Sequence, residues 1–211
     1  MRIAVVGATG RTGKHVVTQA LARGHHVTAL ARQPARLALR HQNLVSVAAD
    51  VLDGDSVLHV LPGADAVVST LGVGASREPT VLYSVGISNI LKAMRANGIC
   101  TVAVVSAAPV APRSERTFLE RRVLMPVLER LFGATYEDMR RMEALLDASP
   151  VDWVSLRPPR IVNRPATGSY RVAVSGRLAR PRSITYGDLA TALLDALDRR
   201  DLHGRPALVA N

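Results

Sequence analysis

Residues 2–13, Arg-Ile-Ala-Val-Val-Gly-Ala-Thr-Gly-Arg-Thr-Gly, constrain the fold more than any other stretch. Ile3–Val6 is a short, β-branched-rich run that suits a buried parallel strand. Gly7, Gly10 and Gly13 follow at Gly-x-x-Gly-x-x-Gly spacing. From Lys14 to Arg23 the pattern becomes helical, with Val16, Val17, Ala20 and Leu21 on one face. Strand, glycine turn and helix form the context in which such glycines carry meaning. The first permits a tight turn, the second lets a backbone approach a pyrophosphate, and the third lets the helix pack on the strand. The helix N-terminus then presents N–H groups and a partial positive charge to phosphate. The stretch predicts a dinucleotide site; the alternative is a glycine turn without a ligand.

The next strand, His26–Ala31, ends at Arg32, where a unit selective for NAD carries an acid for the ribose 2′-hydroxyl. Here Arg32 is joined by Arg36, and a guanidinium fork suits a 2′-phosphate. This predicts NADP(H) over NAD(H). The competing reading is a pair of solvated surface charges.

A chain of 211 residues fits one α/β domain, 1–211, and leaves no room for a separate substrate domain. No apolar run approaches the length of a membrane helix, and the start reads as a strand rather than a signal peptide. The single cysteine, Cys100, allows no internal disulfide and is expected in or beside a strand. These features suit a cytoplasmic protein with no membrane role. The formal charge is +10, but only Lys14 and Lys92 among the basic residues are lysine. That arginine bias, spread from end to end, reads as proteome-wide composition. Aromatics are scarce and no basic recognition helix stands out, so no nucleic-acid partner is expected. The histidines do not combine at metal-ligand spacing, and no metal site is expected.

Apolar runs alternate with amphipathic segments: strands at 2–6, 26–31, 44–48, 65–70, 101–106, 151–156, near 169–174 and 207–209. Helices fall at 12–23, 54–61, 80–96, 116–148 (broken near Gly133) and 187–199. The pattern predicts a doubly wound parallel sheet, a Rossmann fold with helices on both faces, and ligands beyond the carboxyl ends of its strands. At those ends stand Asp50 and Val51, which meet an adenine or make a capping turn, and Leu71 and Gly72, where backbone can pass close to a ribose. Ser106 follows the fifth strand; it meets a substrate carbonyl or caps the next segment. After the sixth strand, Pro158 and Pro159 remove donors and are expected to leave carbonyls free for a carboxamide. The segment from Pro109 to Arg122 is a lid or a surface connection.

Together these residues resemble the atypical short-chain dehydrogenase/reductase group of NAD(P)H-binding proteins, and within it the flavin- and biliverdin-reductase branch. The likeness spans nearly the whole chain. Its marks are Gly7–Gly13, Leu30-Ala31-Arg32, Ala49–Leu52, Leu71-Gly72, Val105-Ser106-Ala107, Arg157–Ile161, Thr167–Tyr170 and Ser183–Leu189. The resemblance implies that Gly7, Thr9, Gly10, Arg11, Thr12 and Gly13 hold the pyrophosphate and Arg32 and Arg36 the 2′-phosphate. It implies Asp50 and Val51 at the adenine, Leu71 and Gly72 at the ribose, and Pro158, Pro159, Arg160 and Ile161 at the nicotinamide. Ser106 is then the polar group nearest the hydride, which passes to a flavin, quinone or similar small-molecule acceptor.

Two departures stand out. The Tyr-x-x-x-Lys pair common in short-chain dehydrogenases is replaced by Tyr136-Glu137-Asp138-Met139-Arg140, and Tyr136 reads as a packing or rim residue. Met139 and Arg160 occupy positions where the flavin-reductase pattern has histidines. Proton delivery then falls to solvent, and Arg160 can meet an anionic substrate group. The leading expectation is an NADPH-dependent reductase, a monomer or weak homodimer. The alternatives are a non-catalytic NADP(H) sensor and a sugar-nucleotide epimerase; the latter is disfavoured because the chain lacks the tyrosine–lysine pair and a substrate domain.

Overall fold

The computed structural model describes residues 1–74, 76–112, 122, 125–174 and 178–211. Its strands are β1 (Arg2–Val6), β2 (His26–Ala31), β3 (Leu44–Ala48), β4 (Ala66–Ser69), β5 (Thr101–Val105), β6 (Asp152–Arg157), β7 (Ile161–Val162), β8 (Arg171–Ala173), β9 (Ile184–Thr185) and β10 (Arg205–Ala210). The helices are α1 (Arg11–Ala22), α2 (Gly54–Leu58), α3 (Leu82–Ala96), α4 (Met125–Asp147) and α5 (Tyr186–Ala196). Eight strands form one sheet in the order β3-β2-β1-β4-β5-β6-β10-β8, while β7 and β9 pair separately. The sheet is parallel except at its last pair, where β8 runs antiparallel to β10. The strand order reverses between β1 and β4, where a doubly wound sheet opens a crevice at its carboxyl edge.

Alternation along β1 sends Ile3 and Val5 to one face and Ala4 and Val6 to the other. On the first face they meet Val16, Val17 and Ala20 of α1 and Leu189 and Leu193 of α5. On the second, Ile87, Ile90 and Met94 of α3 and Met142 and Leu146 of α4 close a layer that also buries Trp153. Full burial of such side chains contributes about 1.5–3 kcal/mol each, so both layers are anchored.

The structure departs from the sequence pattern in several places. The helix α4 runs unbroken through Gly133, whose missing side chain would have met only open space. Its helical cost, about 1 kcal/mol, is outweighed by the packing of Met139, Met142 and Leu146. The segment read as near 169–174 is an antiparallel edge strand, because it turns back beside β10. The two-residue strands β7 and β9 are too short to show a period in sequence. Cys100 lies beside β5 as expected, but it is exposed. The predicted start of α4 near Arg116 and most of the Pro109–Arg122 segment fall on residues outside those described. No helix among the described residues is long and apolar enough to cross a membrane.

Candidate functional site

The glycine loop joins β1 to α1 and is held from β4. Gly7 has φ +79°, a left-handed conformation, and its amide donates to the Leu30 carbonyl at 3.1 Å. The Thr70 hydroxyl lies 2.9 Å from the Val6 carbonyl and 3.2 Å from that of Gly7. A side chain at Gly13 would come 2.3 Å from the Gly7 oxygen, so only glycine lets α1 seat on the loop. Gly10 stands at the N-cap of α1 and supplies no side-chain cap, and the first turn holds no acid. The backbone N–H groups of Arg11, Thr12 and Gly13 therefore find no acceptor among the described residues. Three other helix starts are satisfied: Asp53 caps α2, Thr185 caps α5, and the buried Asp138 of α4 accepts from Tyr83 N–H of α3 at 2.9 Å. Unlike these, the α1 terminus keeps orphan donors and an uncompensated positive dipole end.

That terminus opens onto a cleft of about 830 Å³ at the point where the strand order reverses. Gly7, Thr9 and Gly10 line it, together with Arg32 and Arg36. Asp50, Val51, Leu71 and Gly72 also line it. Nine of the sequence-selected residues thus share one concavity. Arg36 sits in a single helical turn, Pro34–Leu37, directly after β2. One Asp50 oxygen accepts from Leu52 N–H at 3.0 Å, and the Asp50 amide donates to the Ser56 hydroxyl at 3.2 Å, so this acid also shapes its own turn. Behind Val51 and Leu71 lies Gly86 of α3, where a side chain would come 2.9 Å from Leu71 and 3.2 Å from Val51. Asn89 donates to the Val51 carbonyl at 3.0 Å, and the Tyr83 hydroxyl accepts from Val73 N–H at 3.3 Å. Burial pushes the Tyr83 phenol up from its ordinary value, against the pull of that amide and helped by the Asp138 charge. Sequence reasoning missed these supports; a glycine inside the strong helical pattern of α3 was the one signal available.

The remaining selected residues lie elsewhere. Thr12 and Gly13 are buried under the loop. The Arg11 side chain turns away from the cleft and sits 5.7 Å from the centre of the Tyr186 ring. With Arg160 and Ile161 it lines a second cavity of about 390 Å³. Pro158 and Pro159 line neither cavity. Two carbonyls of this turn are already engaged: Ala108 N–H donates to Pro158 at 3.0 Å and Ile184 N–H to Arg160 at 2.9 Å. The cause is the β7–β9 pairing and the turn after β5, which the sequence pattern did not reveal. Ser106 directly follows β5, and its amide donates to the Leu156 carbonyl at 2.8 Å. Its hydroxyl is sealed from solvent and has no hydrogen-bond partner among the described residues, an uncommon state for a buried polar atom.

The Tyr136–Arg140 stretch does not form a proton-relay pair. Tyr136 packs against Phe132, and burial raises its pKa. Arg140 is drawn to Glu137 at 3.2 Å and Glu129 at 3.7 Å on its own helix. Met139 is buried in the core, while Arg160 is exposed. Tyr170 donates to Asp195 at 2.7 Å; burial first, and that carboxylate second, push it up to about 12, so it stays protonated near neutral pH.

The family model described as NAD(P)H-binding matches residues 7–200. An uncharacterized chloroplastic protein of Arabidopsis thaliana is 30% identical over 176 residues, which cover 80% of this chain and 62% of that relative, less than two thirds of its length. An uncharacterized protein of Bacillus subtilis, YwnB, is 24% identical over 206 residues, covering 94% of this chain and 92% of its own. Among solved structures, a short-chain dehydrogenase/reductase (wide type) from Veillonella parvula, in complex with NADP, matches with a TM-score of 0.82. It is 16% identical, and the match covers 100% of this chain and 94% of that one, a likeness of fold.

Proposed function

The chain belongs to the NAD(P)H-binding family, and from that premise we propose that it is an NADPH-dependent reductase of a flavin, quinone or similar conjugated acceptor. The observation that carries this reading is the α1 terminus: three orphan N–H groups over a cleft with two arginines and no acid at the end of β2. The donor set fits a dinucleotide with a 2′-phosphate, because backbone N–H groups and a helix dipole favour the pyrophosphate and guanidinium forks favour a second anion. Gly7, Thr9, Gly10 and the N–H groups of Arg11, Thr12 and Gly13 would hold the pyrophosphate, and Arg32 and Arg36 the 2′-phosphate. Asp50 and Val51 would meet the adenine, Leu71 and Gly72 the ribose, and Pro158–Ile161 the nicotinamide end. When bound, the reduced nicotinamide supplies two electrons and a proton as hydride to the acceptor. Neither Tyr136 nor Tyr170 is set up to supply the second proton, which comes from solvent. The buried Ser106 hydroxyl would meet an acceptor carbonyl only where it became accessible.

The test is NADPH oxidation by purified protein with FMN, riboflavin and a small quinone, with NADH and Arg32→Ala as controls. Turnover above the rate without enzyme is expected. A charge-assisted hydrogen bond contributes about 1.5–3 kcal/mol, so Arg32→Ala raises KM for NADPH by roughly tenfold or more and leaves KM for NADH nearly unchanged. Tight NADPH binding without turnover of any acceptor would favour a non-catalytic NADP(H)-binding protein. Equal use of NADH would remove the role of Arg32.

A further inference from the structure

The second cavity gathers positive charge from distant parts of the chain. Arg11 opens α1, Arg160 and Arg164 flank β7, and Arg182 precedes β9. The β7–β9 pairing, Ile161 beside Ile184 and Val162 beside Thr185, brings the last three together. No acid lines the cavity, and none of these four guanidinium groups has a carboxylate within 4.0 Å among the described residues. Arg2, Arg23, Arg157 and Arg199, by contrast, each hold an acid. Asn163 and Ser183 add neutral polar groups, and the Tyr186 ring lies under Arg11.

We propose that this cavity is a polyanion subsite, and that the acceptor reduced by this protein carries a phosphate group or at least two carboxylates that bind there. The word acceptor rests on the reductase reading; the anion subsite rests on the arginines alone. The four arginines are exposed, and water and salt screen only part of their mutual repulsion. An anion removes that repulsion, and planar guanidinium forks match phosphate and carboxylate oxygens in pairs. A neutral acceptor would leave all four unmet. The cofactor's own phosphates have other partners in the larger cleft: the N–H groups of α1, with Arg32 and Arg36. The two concavities meet at consecutive residues, Gly10 lining the cleft and Arg11 the cavity, so an anion held here leaves the rest of the acceptor beside the cofactor site.

The experiment is calorimetric titration of NADP+-saturated protein with inorganic pyrophosphate, for the wild type, Arg164→Ala/Arg182→Ala and Arg164→Lys/Arg182→Lys. Pyrophosphate is expected to bind, and to bind more weakly as NaCl rises from about 50 to about 300 mM. The alanine pair should weaken it at least about tenfold while the NADP+ Kd moves less than about twofold, and the lysine pair should fall between. In turnover, KM for FMN should lie below that for riboflavin, and the difference should vanish in the alanine pair. Absence of pyrophosphate binding overturns the proposal, as does an equal loss of NADP+ affinity, which would assign the cluster to the cofactor. Equal KM values for FMN and riboflavin in the wild type overturn the acceptor assignment. Failure of the reductase reading looks different: no acceptor turns over, yet pyrophosphate still binds and the alanine pair still abolishes it, which supports the subsite.

Discussion

A methyl group at Gly13 would press to 2.3 Å on the Gly7 carbonyl and 2.9 Å on the Ala8 Cα, both backbone of the glycine loop, and to 2.9 Å on the Thr70 hydroxyl oxygen that follows β4. The backbone must move to admit it. Gly13→Ala is expected to cost about 1–3 kcal/mol, the usual range for overpacking, and to lower Tm as well as nucleotide affinity. Gly10 differs. A methyl there meets only the Gly7 oxygen, at 3.2 Å, and φ is an ordinary −68°. Gly10→Ala should therefore leave the Tm of the free protein nearly unchanged but reduce the upward shift that NADP+ produces, because the added carbon stands at the α1 terminus where pyrophosphate would approach. Thermal unfolding with and without NADP+ separates the two. A Gly10→Ala protein with an undiminished shift would place the pyrophosphate elsewhere.

Between elements, two contacts govern the shape of the site. Gly86 lets α3 lie against Val51 and Leu71. Gly86→Val would drive those side chains toward the cleft, so nucleotide affinity should fall at least about tenfold, as measured by NADPH fluorescence titration, even though valine in a helix costs only about 0.7 kcal/mol or less by propensity. Beneath the sixth strand, Glu143 of α4 accepts from Arg157 Nε at 3.0 Å and Nη2 at 2.5 Å, and from the Ser155 hydroxyl at 2.7 Å. Both side chains are about nine-tenths buried. Removing Glu143 takes two charge-assisted bonds from the buried Arg157, so Glu143→Leu should cost about 3–5 kcal/mol in urea unfolding. Replacing both, as Glu143→Leu/Arg157→Met, should recover most of it. A double variant no more stable than the single would show that Arg157 acts mainly through other contacts.

Across the fold, Asp188 ties the end of the chain to the loop after β7 and to α5. It accepts from the N–H groups of Thr167 and Gly168, from the Thr185 hydroxyl at 2.7 Å, and from Asn211 Nδ2 at 2.8 Å. Burial works against its ionisation, but these donors outweigh it and hold the carboxyl below its ordinary 3.8. A depressed folded pKa means that the unfolded chain binds the proton more readily. The stabilisation is therefore complete above about pH 4 and is lost as pH falls through the folded value. Tm measured against pH should show a wild-type advantage over Asp188→Asn that is flat near neutrality and shrinks below about pH 4. An advantage independent of pH would mean that the charge of Asp188 is not what holds the network. The Thr167–Tyr170 segment, one of the marks of the family resemblance, thus acts structurally here: its amides cap Asp188, and Tyr170 binds Asp195.

The Rossmann unit could be read locally because its information is local. The bounds of β1, β2 and β3 follow from apolar runs a few residues long, and the glycine spacing states the loop geometry directly. Arg32 could be placed for the same reason, since it is the first residue beyond a strand whose end was legible. Helix continuation through Gly133 was not, because side chains of α4 far from that glycine outweigh its propensity. The engaged carbonyls of Pro158 and Arg160 depend on partners at Ala108 and Ile184, and the Glu143–Arg157 pair on a helix returning beside its strand. The arginine cavity unites residues 11 and 182, which no window of sequence sees together. Period and turn chemistry act over a few residues and are written in order along the chain. Hydrogen-bond partners, buried charge and electrostatic concavities depend on distance in space, which exists only once the sheet has wound.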